Sequence, residues 1–145
     1  ILCAAPSYLA ARGPINTPQD LARQECLGFL HPELSKRWTL IGPEGAVTVP
    51  VSGRLMVDSG EALMAAAVSG VGVLLQPAEI VDPYIASGQL VILLPEYSAP
   101  TRPMHIVYAP DRRMTPKLRS FIEFVMTNFG ANAHGVTGRA MPTSA

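Results

Sequence analysis

Residues 54–77, RLMVDSGEALMAAAVSGVGVLLQP, set the terms for the whole chain. Residues 54–57 read as a short strand, Asp58-Ser59-Gly60 as a turn and residues 61–69 as a helix. Gly70 stops that helix, and residues 71–75 read as a second buried strand ending at Gln76-Pro77. Strand, helix and strand in so short a span make a βαβ unit, which calls for a parallel sheet because two parallel strands need a crossover between them. Open α/β sheets bind ligands at the carboxyl ends of their strands. Those ends here are Asp58-Ser59-Gly60 and Gln76-Pro77, so one stretch supplies both the centre of the fold and the first candidate site. The helix carries Leu63, Ala66, Ala67 and Gly70 on one face and Met64 and Val68 on another, with Glu61 and Ser69 as its polar positions. Such a helix is either covered on more than one side or leaves small alanines facing water.

Before this stretch, residues 1–4 read as a strand and residues 6–12 as a helix begun by Pro6 and ended by Gly13-Pro14. Thr17, Pro18 and Asp20 have the spacing of an N-cap, a first helical residue and a capping-box acid, with Leu21 as the core anchor. Residues 26–30 read as a strand running into His31-Pro32. Residues 38–41 and 46–51 make a hairpin about the turn Gly42-Pro43-Glu44-Gly45. After Pro77 come a helix to Ala86 stopped by Gly88, a strand at 90–94, a proline-rich connection at 95–103 and a strand at 104–108. Thr115-Pro116 then caps an amphipathic helix with Leu118, Phe121, Ile122, Val125 and Phe129 along one stripe, ended by Gly130. Residues 131–145 show no period and are expected to be disordered.

The bulk properties narrow the function. In 145 residues, 48% are apolar and 15% charged, which suits a globular core, and no apolar run approaches a membrane span. Net charge is zero, against nucleic-acid binding by this chain alone, since phosphate affinity needs clustered Lys and Arg. Cys3 and Cys26 lack metal-ligand spacing and read as buried free thiols of a cytoplasmic protein, with one disulfide as the alternative. The chain opens on Ile1 within a strand pattern, so it is expected to be a piece of a longer protein.

Taken in order, APSYLAARG, TPQDLARQECLGF, WTL, VPVSGRLMVDSGEALMAAAVSGVGVLLQP and PMHIVYAPDRRMTPKLRSFIEFV resemble the effector-binding half of LysR-type transcriptional regulators over residues 1–129. The resemblance implies an α/β fold of the periplasmic-binding-protein type II kind, with two subdomains joined by crossing strands and a small effector between them. On that map, residues 1–97 hold a crossing strand and the whole second subdomain. Residues 98–130 return to the first subdomain as its last strand and helix, and 131–145 are a tail. The family's winged helix-turn-helix has no counterpart in these residues, so DNA contact would come only through a missing N-terminal domain. The resemblance also implies a small polar or anionic effector, a homo-oligomer (dimer or tetramer), no cofactor and no membrane.

Candidate effector residues gather at the strand ends. Asp58, Ser59 and Gly60 open the central helix, where free N–H groups and the helix dipole favour an anion. The competing reading makes Asp58 the helix cap with Glu61 at its third position. Leu30 and His31 end the strand at Cys26, and His31 can hydrogen-bond or pair with an acid or be an ordinary loop histidine. Gln76 offers donors and an acceptor beside Pro77, or is simply polar at a strand end. His105 reads as structural, Trp38 as core, and the three dispersed histidines offer no metal site. Without a nucleophile elbow, a glycine-rich phosphate loop or a P-loop lysine, the chain reads as a non-enzyme. The alternatives are a solute-binding protein or enzyme on the same fold, or an oligomerising scaffold that needs no ligand.

Overall fold

The computed structural model describes residues 1–30, 36–100, 105–107 and 115–129. The chain divides into two units, Ile1–Thr101 and Arg102–Ala145.

The first unit is built on a four-stranded mixed sheet. Its strands are β1 (Leu2–Ala4), β2 (Cys26–Leu27), β5 (Val73–Leu75) and β6 (Val91–Leu93), in the order β2-β5-β1-β6. β2 and β5 run parallel, with Cys26 opposite Val73 and Leu27 opposite Leu74. β1 is antiparallel to both its neighbours, pairing Cys3 with Leu74 on one side and with Ile92 on the other. The parallel sheet expected from the βαβ pattern therefore holds on one side only. The polarity of β1 is set by long-range pairing that the local pattern does not carry.

The strand expected at 54–57 is a broken edge. Two isolated parallel bridges, Glu25 to Ser52 and Gly28 to Met56, hold this segment beside β2. Four steps from Ser52 to Met56 stand opposite three from Glu25 to Gly28, so one extra residue is accommodated as in a β-bulge. The cause is competition from a side chain far away in sequence. The Arg54 N–H donates to Glu25 Oε2 at 3.1 Å, and Arg54 Nε lies 3.2 Å from Glu25 Oε1, which takes Arg54 out of the ladder. Gly53 is needed here, because a Cβ at this position would overlap the Cys26 carbonyl. The crossover helix α2 (Gly60–Val68) still links this edge to β5, with β2 lying between the two parallel segments.

Local chemistry explains the remaining elements. α1 (Pro6–Arg12) starts with proline and ends at Gly13, whose φ of 88° suits glycine. A 3₁₀ helix at Pro18–Arg23 follows the expected signal at Thr17. The Asp20 carboxylate accepts from the Asn16 N–H at 3.0 Å, the Thr17 N–H at 2.8 Å and the Thr17 hydroxyl at 3.0 Å. These bonds favour the charged form and hold the Asp20 carboxyl below its ordinary pKa. The hairpin β3 (Arg37–Gly42) and β4 (Gly45–Pro50) turns at Pro43-Glu44. Trp38, Leu40 and Val49 are buried, while the Thr39 and Thr48 hydroxyls meet at 3.0 Å on the exposed face. Beyond β6, Ser98 bridges to Ile41 with hydrogen bonds of 2.7 and 2.9 Å, and the Tyr97 ring lies where a Gly42 side chain would stand.

The core joins Leu2, Leu21, Leu27, Leu40, Leu63, Val73, Leu74, Val81 and Leu90. α2 buries Leu63, Met64 and Ala67 and leaves Glu61, Ala62, Ala65 and Ser69 exposed, so two of its four alanines face outward while Ala67 packs in the core and Ala66 is half-buried. α3 (Ala78–Ala86) anchors through Val81 and hands over to β6 through Gly88. Cys3 and Cys26 are buried free thiols, and burial pushes their pKa values up to about 11 and about 12.

In the second unit, α4 (Pro116–Phe129) is capped as expected. Thr115 Oγ1 accepts from the Leu118 N–H at 3.3 Å. Its apolar side chains are not buried, and Phe121, Phe124, Met126 and Phe129 are all exposed. The strand expected at 104–108 does not form at residues 105–107, where no described neighbour pairs with the backbone. Met104, Tyr108, Gly130 and the tail lie outside the described residues.

Candidate functional site

β2, β5 and the bridged segment 52–57 point the same way, so their carboxyl ends lie together at one end of the sheet. The residues that follow them are Phe29-Leu30, Gln76-Pro77 and Asp58-Ser59-Gly60.

At the start of α2 the cap is Ser59 and not Asp58. Ser59 has extended backbone angles, and its Oγ accepts the Ala62 N–H at 3.2 Å. Its carbonyl accepts the Leu63 N–H at 3.1 Å. The capping box expected from Asp58 and Glu61 is overturned because the helix begins at Gly60, which puts Glu61 second and Ala62 third. Asp58 and Glu61 are exposed. Among the described residues, the N–H groups of Gly60 and Glu61 have no partner, as the geometry of a helix start dictates.

Gln76 stands opposite this helix start. Its backbone is tied to the other neighbour of β5, donating to the Ile1 carbonyl at 3.1 Å and accepting from the Ile1 nitrogen at 2.6 Å. The residue is 7% exposed, and its side-chain Nε2 is buried without a hydrogen-bond partner among the described residues. A Cβ at Gly60 would lie 3.8 Å from that Nε2 and 3.9 Å from Cζ of Phe29. The amide and the aromatic ring thus both flank the glycine at the helix start. A buried amide nitrogen left unpaired costs about 1–3 kcal/mol, so it is a group waiting for an acceptor.

The sequence candidates fall into three groups. Ser59, Gly60 and Gln76 come together around the helix start. Leu30, Asp58 and Pro77 are exposed neighbours of that cluster in the chain, Leu30 at 61%. His31 lies outside the described residues. Phe29 was not singled out from the sequence. Its signal was modest, an aromatic residue at the carboxyl end of a strand pattern, two residues beyond the buried Leu27. Among the described residues, no group of three His, Cys, Asp or Glu side chains is placed to hold a metal ion, and no helix is long and apolar enough to cross a membrane.

The sequence profile of the LysR substrate binding domain matches residues 1–130. The chain belongs to that family. It is 33% identical over 133 residues to the HTH-type transcriptional regulator CrgA of Neisseria meningitidis, a match covering 91% of this chain and 44% of CrgA. It is 36% identical over 126 residues to the HTH-type transcriptional activator TtdR of Escherichia coli, covering 86% of this chain and 40% of TtdR. The chain therefore spans less than half the length of these relatives. Among solved structures, the regulatory domain of CrgA is similar at a TM-score of 0.67 and 34% identity, covering 86% of this chain and 61% of that one. The regulatory domain of AphB from Vibrio vulnificus, treated with cumene hydroperoxide, gives a TM-score of 0.68 at 32% identity over 87% of this chain and 62% of that one. The LysR domain here has the type II periplasmic-binding-like α/β fold of those neighbours, and its relatives are transcriptional regulators, not enzymes.

Proposed function

We propose that this LysR domain is the effector-sensing part of a cytoplasmic bacterial regulator, and that a small polar or anionic metabolite docks where β2, β5 and α2 converge. The observation that carries this reading is the Gln76 amide, buried and unpartnered beside the open N–H groups of α2. Ser59, Gly60, Gln76 and Pro77 would line the effector, with Leu30, His31 and Asp58 at its rim. Residues 1–97 would form one lobe of the cleft and residues 98–130 would return to the other. The exposed stripe on α4 supports a second lobe supplied by regions outside this span, since the chain covers 61% of the CrgA regulatory domain. Effector affinity would differ between arrangements of the lobes or of a homo-oligomer (dimer or tetramer). That difference is what shifts the population reaching DNA through a helix-turn-helix domain outside this chain.

The test is a metabolite screen on the complete regulator, read by melting temperature and by affinity for its operator DNA. A true effector at a hundred times its Kd adds about 2.7 kcal/mol of stability and changes DNA affinity. A regulator whose melting and DNA binding ignore a broad metabolite set would count against ligand control and favour a scaffold.

A further inference from the structure

We propose that the part of the effector held by this lobe is a neutral hydrogen-bond acceptor, such as a carbonyl, amide or hydroxyl oxygen, and not a charged end. The inference rests on the effector-site reading above and names the chemistry that site selects.

The free backbone groups of the cluster are donors, and the Gln76 amide offers both a donor and an acceptor. Gln76 contributes its unpartnered Nε2, and Gly60 and Glu61 contribute backbone N–H groups without partners among the described residues. Ser59 Oγ already accepts from Ala62, which leaves its own hydrogen to donate. A set in which donors outnumber acceptors favours oxygen lone pairs from the ligand. Charge then decides which kind of oxygen. A helix start offers the equivalent of about half a positive charge. Asp58 and Glu61 set two full negative charges on the same turn, both exposed. No Lys or Arg occurs among residues 28–30, 58–61 and 76–77 to offset them, and the Ile1 ammonium beside Gln76 is spent on the Gln76 carbonyl at 2.6 Å. Arg54, the nearest cation along the chain to Asp58, is engaged by Glu25 at 3.2 Å. A carboxylate would meet repulsion, whereas a neutral oxygen takes the same donors without it. The Phe29 ring supplies an apolar wall beside Gly60 for the carbon skeleton of the ligand. Nε2 is closed off from solvent, so binding turns the amide about its last torsion, which is broad for glutamine.

The test is NMR of the isotope-labelled 145-residue chain at low ionic strength, titrated with acetamide and, separately, with acetate. The two probes match in size and differ in charge. Acetamide is expected to move the Gln76 side-chain amide pair and the Gly60 and Glu61 N–H signals along a saturable curve. Acetate should act at least about tenfold more weakly, as like-charge juxtaposition requires. D58N/E61Q should narrow that gap. Gln76→Leu should abolish the acetamide response while the Ala67 signal, deep in α2, stays in place and reports an intact fold. Acetate binding as well as or better than acetamide would overturn the neutral-acceptor inference and leave the site standing. No saturable response to either probe would overturn both the inference and the placement of the effector at this cluster.

Discussion

Replacing Gln76 by methionine keeps the length and flexibility of the side chain and removes the buried amide. In most proteins, altering a 7%-exposed polar residue breaks a hydrogen bond and destabilises the fold. Here Nε2 has no partner among the described residues to lose, and the bonds of Gln76 to Ile1 run through its backbone, which the substitution leaves untouched. The substitution should therefore relieve an unpaired buried donor. By the usual cost of such a group the ligand-free protein gains about 1–3 kcal/mol. For a chain of this size that corresponds to a melting temperature higher by about 3–10 °C. The assay is urea unfolding at constant m-value, supported by thermal melting, with the effector response of the complete regulator measured in parallel. The expected pairing is higher stability with a lost or strongly weakened effector response, the trade that a preorganised binding site imposes. A Q76M variant less stable by about 1 kcal/mol or more, with effector response intact, would refute the reasoning.

Other substitutions probe the scaffold around the site. Ser59→Ala removes the cap on Ala62 and should cost about 1 kcal/mol, whereas Asp58→Ala should cost little, a contrast that denaturant unfolding of both variants checks. Gly72→Ala would drive a Cβ into the Glu25 carbonyl beside the β2–β5 pairing. It should cost at least about 2 kcal/mol by the same assay. Gly60→Ala meets only ordinary contacts with Gln76 and Phe29 and should fold normally. Cys3 and Cys26 have folded pKa values raised by burial to about 11 and about 12, so the unfolded chain ionises first. Their contribution to stability is complete below about pH 9. It then declines as pH rises towards the folded values, by up to about 1.4 kcal/mol per pH unit for each thiol. Unfolding between pH 8 and about 11 should show this slope, and C3A/C26A should flatten it.

What could be read from the sequence was local. The Pro6 start of α1, the Thr17-Pro18-Asp20 signal and the Pro43-Glu44 turn are decided within a few residues, and each appears where the sequence puts it. The strand at 54–57 could not be read correctly, because the group that diverts Arg54 is Glu25, far away in sequence. The antiparallel course of β1 and the shortness of β2 depend in the same way on strands brought together only by folding. At the site, proximity of the helix start at Gly60 to Gln76 follows from the βαβ pattern. The identity of the cap, the role of Phe29 as a neighbour and the unpaired state of Gln76 did not, since each depends on side-chain packing across the sheet end.

The most direct measurement is a crystal structure of the complete regulator bound to a metabolite that shifts its melting temperature. The account predicts ligand oxygen within hydrogen-bond distance of Gln76 Nε2 and of the Gly60 or Glu61 N–H, with Phe29 against its carbon skeleton. A ligand bound elsewhere, with Gln76 still buried and unpartnered, would contradict it.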